Sequence, residues 1–307
     1  MFHVKQSETT STTGYGADTP LARELADLTA RRRALEGVSV TFSGPTRIFT
    51  ISNQKGGVGK TTTAVNIASA MAQLGGRVLV IDLDPQGNAS TALGVAHTAD
   101  VPSIYDVLIN ETPLADVVQA SPESPSLLCA PSTIHLAGAE IELVSQVARE
   151  HRLRTALQTY LASQQIDVVI IDCPPSLGLL TINAFTAATE VMIPIQCEYY
   201  ALEGLSQLLG SIRMIQKHLN PALQLTTILL TMFDGRTRLA QQVADEVRGH
   251  FSDEVLDTVI PRSVRVSEAP SFGQTVIAYD GQSVGAIAYQ EAAVEIAGRA
   301  ARTGKGN

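Results

Sequence analysis

The chain has 307 residues, a formal net charge of −8 and 45% hydrophobic residues, enough from residue 46 onward for one large domain with a sizeable core. Its three cysteines, Cys129, Cys173 and Cys197, are odd in number and form no Cys-x-x-Cys pair, which excludes a disulfide framework and points to a reducing cytosol. No run approaches the roughly eighteen apolar residues of a spanning helix, residues 1–18 lack an apolar secretory core, and the acidity argues against a nucleic-acid partner unless a local basic patch supplies the contact.

Taken in chain order, residues 1–20 are rich in Ser, Thr and Gly and read as a disordered tail. Leu21, Leu25, Leu28 and Leu35 then recur at helical spacing beside Arg31, Arg32 and Arg33. This predicts a short amphipathic helix over 20–36, either docking a partner, the nucleoid or the protein's own body, or simply solvated. Residues 37–45 read as a linker, so that 1–45 form an amino-terminal extension, 46–298 a single large domain and 299–307 a flexible tail. From residue 47 the pattern alternates. Strand-length apolar runs cover 47–52, 78–82, 167–172, 191–195, 225–231 and 255–260; helical patterns cover 61–74, 139–163, 179–188, 201–218 and 238–250, with a closing helix at 284–298. Apolar strands without alternation, separated by amphipathic helices, predict an α/β fold. Its mainly parallel, twisted sheet is covered by helices on both faces, with ligands at the carboxyl ends of the strands. No internal repeat is visible.

Residues 53–63 read Asn-Gln-Lys-Gly-Gly-Val-Gly-Lys-Thr-Thr-Thr, between the first strand and the first helix of the repeat. Strand, glycine loop, Gly-Lys-Thr and helix form a P-loop, which makes the fold a P-loop NTPase. The backbone N–H groups of Gly56, Gly57, Val58 and Gly59 cradle phosphates, and the helix terminus adds positive potential. Lys60 is placed for the β- and γ-phosphates, Thr61 for Mg²⁺ and Thr62 for the α-phosphate. Gln54 stands where the common loop has its first glycine, and a second lysine, Lys55, precedes the glycine pair. One lysine is enough for a cradle, so Lys55 needs another task.

Further carboxylates fall at strand ends. Asp82 and Asp84, in Ile-Asp-Leu-Asp-Pro-Gln-Gly-Asn-Ala-Ser (81–90), are two apart and share a side of an extended chain. Such a pair beside a magnesium triphosphate can hold metal water or orient the attacking water; for Asp82 the alternative is a structural acceptor at a strand end. Val-Ile-Ile-Asp-Cys-Pro-Pro-Ser (169–176) has the Walker B arrangement, with Asp172 binding Mg²⁺ through water and Pro174 and Pro175 stiffening a loop able to sense the γ-phosphate. Met232, at the end of one late strand, and Pro261, which precedes Arg262 at the end of another, suit the face of a purine, and backbone groups there can read its edge. The residues alone do not choose adenine over guanine, although no Asn-Lys-x-Asp guanine-reading motif is present.

The loop with its extra lysine resembles the deviant Walker A box of the MinD/ParA ATPases. Two further blocks, Ile-Gln-Cys-Glu-Tyr-Tyr-Ala-Leu-Glu-Gly-Leu (195–205) and Val-Ile-Pro-Arg-Ser-Val-Arg-Val-Ser-Glu-Ala-Pro-Ser (259–271), are similar to the Soj-like chromosomal branch of the ParA partition ATPases. The resemblance covers about 47–295. It implies an ATP hydrolase, slow until stimulated, that uses ATP and Mg²⁺. Lys55 would reach the partner's nucleotide across an ATP-dependent homodimer, Asp84 would position the hydrolytic water, Asp82 would support near Mg²⁺, and Met232, Pro261 and Arg262 would line an adenine pocket. It further implies nonspecific double-stranded DNA binding through Arg236 and Arg265, with Arg238 and Arg262 as contributors, and a ParB-type centromere-binding partner. The implied place is the cytoplasm, on the nucleoid, and the implied role is partitioning of chromosomes or plasmids. The alternative is a MinD-like membrane-associated positioning ATPase. The tail 296–307 has almost no large apolar side chains, so it would bury little in a bilayer. A metal-cluster cousin is disfavoured by the lack of a cysteine pair.

Overall fold

The computed structural model describes residues 19–199 and 201–303. They fall into two compact units, one ending at Gly37 and one beginning at Val38. The first contains helix α1 (Pro20–Leu35). It begins where Thr19 accepts a hydrogen bond from Ala22 N and where Pro20 fits the first helical turn. Of the residues expected to form a tail, 1–20, residues 1–18 lie outside the described residues, while Thr19 and Pro20 belong to the start of α1.

The second unit holds the remaining elements in chain order: β1 (Arg47–Ile51), α2 (Lys60–Gln73), β2 (Val78–Asp82), α3 (Asn88–Ala92), α4 (Ile104–Ile109), β3 (Gln119–Ser121), β4 (Ser124–Ala130), α5 (Leu136–Leu143), α6 (Arg152–Ser163), β5 (Val168–Asp172), α7 (Leu179–Ala187), β6 (Glu190–Gln196), α8 (Ala201–His218), β7 (Gln224–Phe233), α9 (Arg238–His250), β8 (Val255–Pro261), α10 (Val264–Glu268), α11 (Val276–Tyr279) and α12 (Val284–Thr303). The strands make one sheet in the order β3-β4-β2-β5-β1-β6-β7-β8. Every pairing is parallel except β3 with β4. This is the expected α/β architecture with an unforeseen antiparallel edge.

Alternation along the strands sorts the core onto two faces. Phe49, Ile51, Val78, Val80, Val168, Ile170, Met192 and Leu229 face α2, α11 and α12. Leu79, Ile81, Val169 and Ile171 face α4 to α7, and Val191, Ile193, Ile228 and Leu230 face α8 and α9. Because both faces are covered, β2 and β5 are buried along their whole length, which is why they read as unbroken apolar runs.

Three local expectations change. Residues 37–45 have no regular secondary structure, yet Val38, Val40 and Phe42 pack on the core and Val40 N bonds Leu74 O at 3.0 Å. The single helix expected over 139–163 is two, α5 and α6, separated by a turn in which Ala148 takes φ 49°. The closing helix runs to Thr303 rather than 298. Arg299 holds it there, donating to the carbonyls of Asp253, Glu254 and Val255 and to Glu295. No helix among the described residues is long and apolar enough to cross a membrane.

Candidate functional site: a phosphate loop beside buried carboxylates

The first strand delivers the chain into the glycine loop, and α2 leaves it. Gly57 and Gly59 take φ of 74° and 87°, left-handed backbone that a side chain would strain. Gly59 is the residue before the first turn of α2 and has no side-chain cap, so the leading N–H groups of the helix stay available. The loop is fastened from beneath. Val58 is buried, and its carbonyl accepts from Thr231 Oγ1 of β7 at 2.8 Å. Asn53 donates to Pro194 O of β6 at 2.9 Å and accepts from Lys55 N at 3.0 Å.

The two lysines differ. Lys60 is 7% exposed, and its ammonium donates to the Lys55 carbonyl at 3.2 Å. Burial lowers its pKa, and the negative charges of Asp172 and Asp84 oppose that fall. The Lys55 ammonium points to another element and pairs with Glu198 at 2.5 Å, each side chain nearly half exposed.

Parallel pairing of β2 and β5 sets Asp82 opposite Asp172. Both are fully buried. Asp82, expected near the metal, has both oxygens engaged within the chain. Oδ2 accepts from Ser90 N at 2.8 Å and Ser90 Oγ at 2.7 Å, and Oδ1 accepts from Asp84 N at 3.2 Å. These bonds shape the 84–90 loop, whereas the Asp172 oxygens opposite are not engaged in this way. Burial still raises the Asp82 pKa to about 6. Asp172 is raised well above the ordinary range, first by burial and then by Asp82. Neither Asp172 oxygen has a hydrogen-bond partner of good geometry; the neighbouring Thr61 hydroxyl only eases the shift. A buried carboxylate without donors, beside Thr61 and under a phosphate cradle, fits a magnesium ion held through water and phosphate oxygens. Among the described residues no group of three or more His, Cys, Asp or Glu makes a self-contained metal site. Asp84 is half-buried, accepts from Gln86 N at 3.0 Å and is close enough to Lys60 to favour its charge.

At the end of β7, Met232 takes φ 50°, and its methyl lies 3.9 Å from where a Gly59 Cβ would stand. Phe233 pairs with Pro261, and Arg262 N reaches Phe233 O at 3.4 Å. The fold thus brings the ends of β7 and β8 together, with Met232 against the phosphate loop. The arginines expected at DNA lie on the loops that follow. Arg236 is 90% exposed and grips Asp234 at 2.9 Å, which lowers the Asp234 pKa. Arg265 pairs with Glu268 at 3.2 Å and Asp280 at 3.4 Å. Arg238 is exposed on the first turn of α9.

Sequence reasoning did not find Ser90, Thr231, Asn53 or Glu198. Asn53, Ser90 and Glu198 stood inside runs that carried signal, 53–63, 81–90 and 195–205, but their partners lie on other elements. All three cysteines are free and buried, with Cys173 pushed to about 12 by burial.

Known proteins resemble this chain along most of its length. A family model described as an AAA domain matches residues 46–225. The chain is 53% identical to the sporulation initiation inhibitor protein Soj of Bacillus subtilis over 82% of this chain and 98% of that one. It is 50% identical to the chromosome partitioning protein ParA of Caulobacter vibrioides, over 84% and 96%. Among solved structures, cobyrinic acid a,c-diamide synthase from Mycobacterium smegmatis with bound ADP and magnesium is 38% identical, with a TM-score of 0.72, over 85% of this chain and 97% of that one. The septum site-determining protein MinD of Pyrococcus horikoshii, complexed with Mg-ADP, is 25% identical, with a TM-score of 0.65, over 82% and 96%. With this similarity along most of its length and a phosphate loop built as described, the chain belongs to the Soj/ParA family of P-loop ATPases.

Proposed function

We propose that the protein is a partition ATPase: it binds ATP with Mg²⁺, pairs with a second copy, holds DNA nonspecifically while paired, and lets go after hydrolysis. The observation that carries this reading is the division of labour between its lysines. Lys60 is buried under its own loop, whereas Lys55 extends its ammonium away from it, as a group with a task on another chain would.

The residues have these roles. The N–H groups of residues 56–59 and the start of α2 bind the phosphates, Lys60 neutralises the β- and γ-phosphates, and Thr62 meets the α-phosphate. Thr61 and Asp172 hold the magnesium site, with Asp82 fixing the adjoining loop. Held there, magnesium would supply positive charge to offset that developing on the terminal phosphoryl group during transfer. Asp84 orients the attacking water from the rim of the loop. Lys55 stabilises the partner's nucleotide. Met232, Pro261 and Arg262 hold adenine. Arg236 and Arg265, doubled by pairing, give a basic strip whose affinity rises by avidity. A ParB-type protein would stimulate turnover, and the site of action would be the nucleoid in the cytoplasm.

The synthase name carried by a relative at 38% identity suggests ligation instead. Partition is favoured by the 50–53% identity to Soj and ParA. A DNA-binding titration with ATP, with ADP and without nucleotide, at two salt concentrations, tests the choice. Retention that requires ATP and weakens steeply with salt is expected; equal retention in all three states would reject partition.

A further inference from the structure

Resting on the pairing role proposed for Lys55, we propose that Glu198 is a positioning residue for that lysine: it keeps the ammonium inside its own protomer until pairing offers a stronger anion. Glu198 stands in the short connection between β6 and α8, where its backbone N bonds Gln196 O at 2.8 Å and its carbonyl accepts from Ala201 N at 3.0 Å. The Glu198 backbone is thus hydrogen-bonded on both its N–H and its carbonyl. The Lys55 backbone is fixed too, by Asn53 Oδ1 on its N–H and by the Lys60 ammonium on its carbonyl. Only the Lys55 side chain is free to choose, and within one chain it chooses Glu198 at 2.5 Å.

The strength of this hold suits a catch that must open. Both side chains are 44–45% exposed, so water screens the pair, and such a pair is worth at most about fivefold in an equilibrium constant. A triphosphate has several negative charges and, in an interface closed to water, attracts an ammonium far more strongly. Exchange from Glu198 to a partner's nucleotide is thus downhill only when nucleotide and partner are both present. Pairing breaks one Lys55–Glu198 contact in each copy, so removing Glu198 should tighten association by about 2- to 25-fold.

The test uses the full chain with Asp84→Ala to block turnover, with ATP and Mg²⁺, and measures the pairing constant by sedimentation. Adding Glu198→Gln should lower the concentration at half-pairing by that factor. Glu198→Asp, which keeps the charge but loses reach, should fall between. Unchanged or weaker pairing in Glu198→Gln overturns the proposal, since a residue that merely supports the fold or the interface would weaken association. An Asp84→Ala parent that stays monomeric with ATP would instead overturn the pairing role itself, and Glu198 with it.

Discussion

The phosphate loop and the arginine-bearing loops leave the same edge of the parallel sheet, yet they are built differently. The phosphate loop is tied down over long sequence distances, by Thr231 to Val58 and by Asn53 to Pro194, with Lys60 and Asp172 buried beside it. The arginine loops are exposed, and their charges are balanced close by in sequence, Arg236 by Asp234 and Arg265 by Glu268, with Asp280 further along. The first region holds a fixed geometry for one chemical task. The second offers exposed charge balanced only locally, which is what the DNA contact proposed above would need.

The contrast can be broken at several strengths. Asp84→Ala should cut ATP turnover by about 10²- to 10⁴-fold while leaving nucleotide binding near wild type; phosphate-release kinetics beside calorimetry check this, and normal turnover would remove Asp84 from the reaction. Lys60→Ala should weaken nucleotide binding on the order of 100-fold, because a buried charge-assisted contact is lost; calorimetry reads it directly. Arg265→Glu should weaken DNA binding by on the order of 10-fold and make the log–log salt dependence shallower by about 2, one phosphate contact per copy in a pair. ATP-driven pairing should persist in that variant. If it retained wild-type DNA affinity, the basic strip would have to be sought elsewhere.

The smallest effect concerns stability. Asp82 is raised from an ordinary 3.8 to about 6 in the fold. A group that holds its proton more tightly when folded gives stability that is fully present below its unfolded value and is lost as pH rises through its folded one. The Asp82 contribution should therefore fade between about pH 4 and pH 6. Unfolding free energies of Asp82→Asn and wild type without nucleotide should separate in the variant's favour across that window, by on the order of 1–3 kcal/mol. A gap independent of pH would contradict the assignment.

Legibility followed the range of the interactions. The six parallel strands at 47–52, 78–82, 167–172, 191–195, 225–231 and 255–260 were readable because burial on both faces forces unbroken apolar runs. The edge pair β3 and β4 was not: Gln119–Ser121 is short and polar, and Ser124–Ala130 opens Ser-Pro-Ser before its apolar end. The break between α5 and α6 was hidden because residues 144–151 carry no glycine or proline to mark it. In the site, the glycine loop and Asp172 were visible because their signal is local. The occupation of Asp82 by Ser90 and the pairing of Lys55 with Glu198 were not. The latter joins groups 143 positions apart, and only the sheet order that sets β6 beside β1 brings them together.

The central claim is that nucleotide held by Lys60 in one copy is completed by Lys55 of another. Sedimentation of Asp84→Ala at saturating ATP and Mg²⁺, beside the same chain carrying Lys55→Ala, tests it most directly. The account predicts a stable dimer for Asp84→Ala and a monomer that still binds ATP for the double variant. A monomer in the first case, or an equally stable dimer in the second, would contradict it.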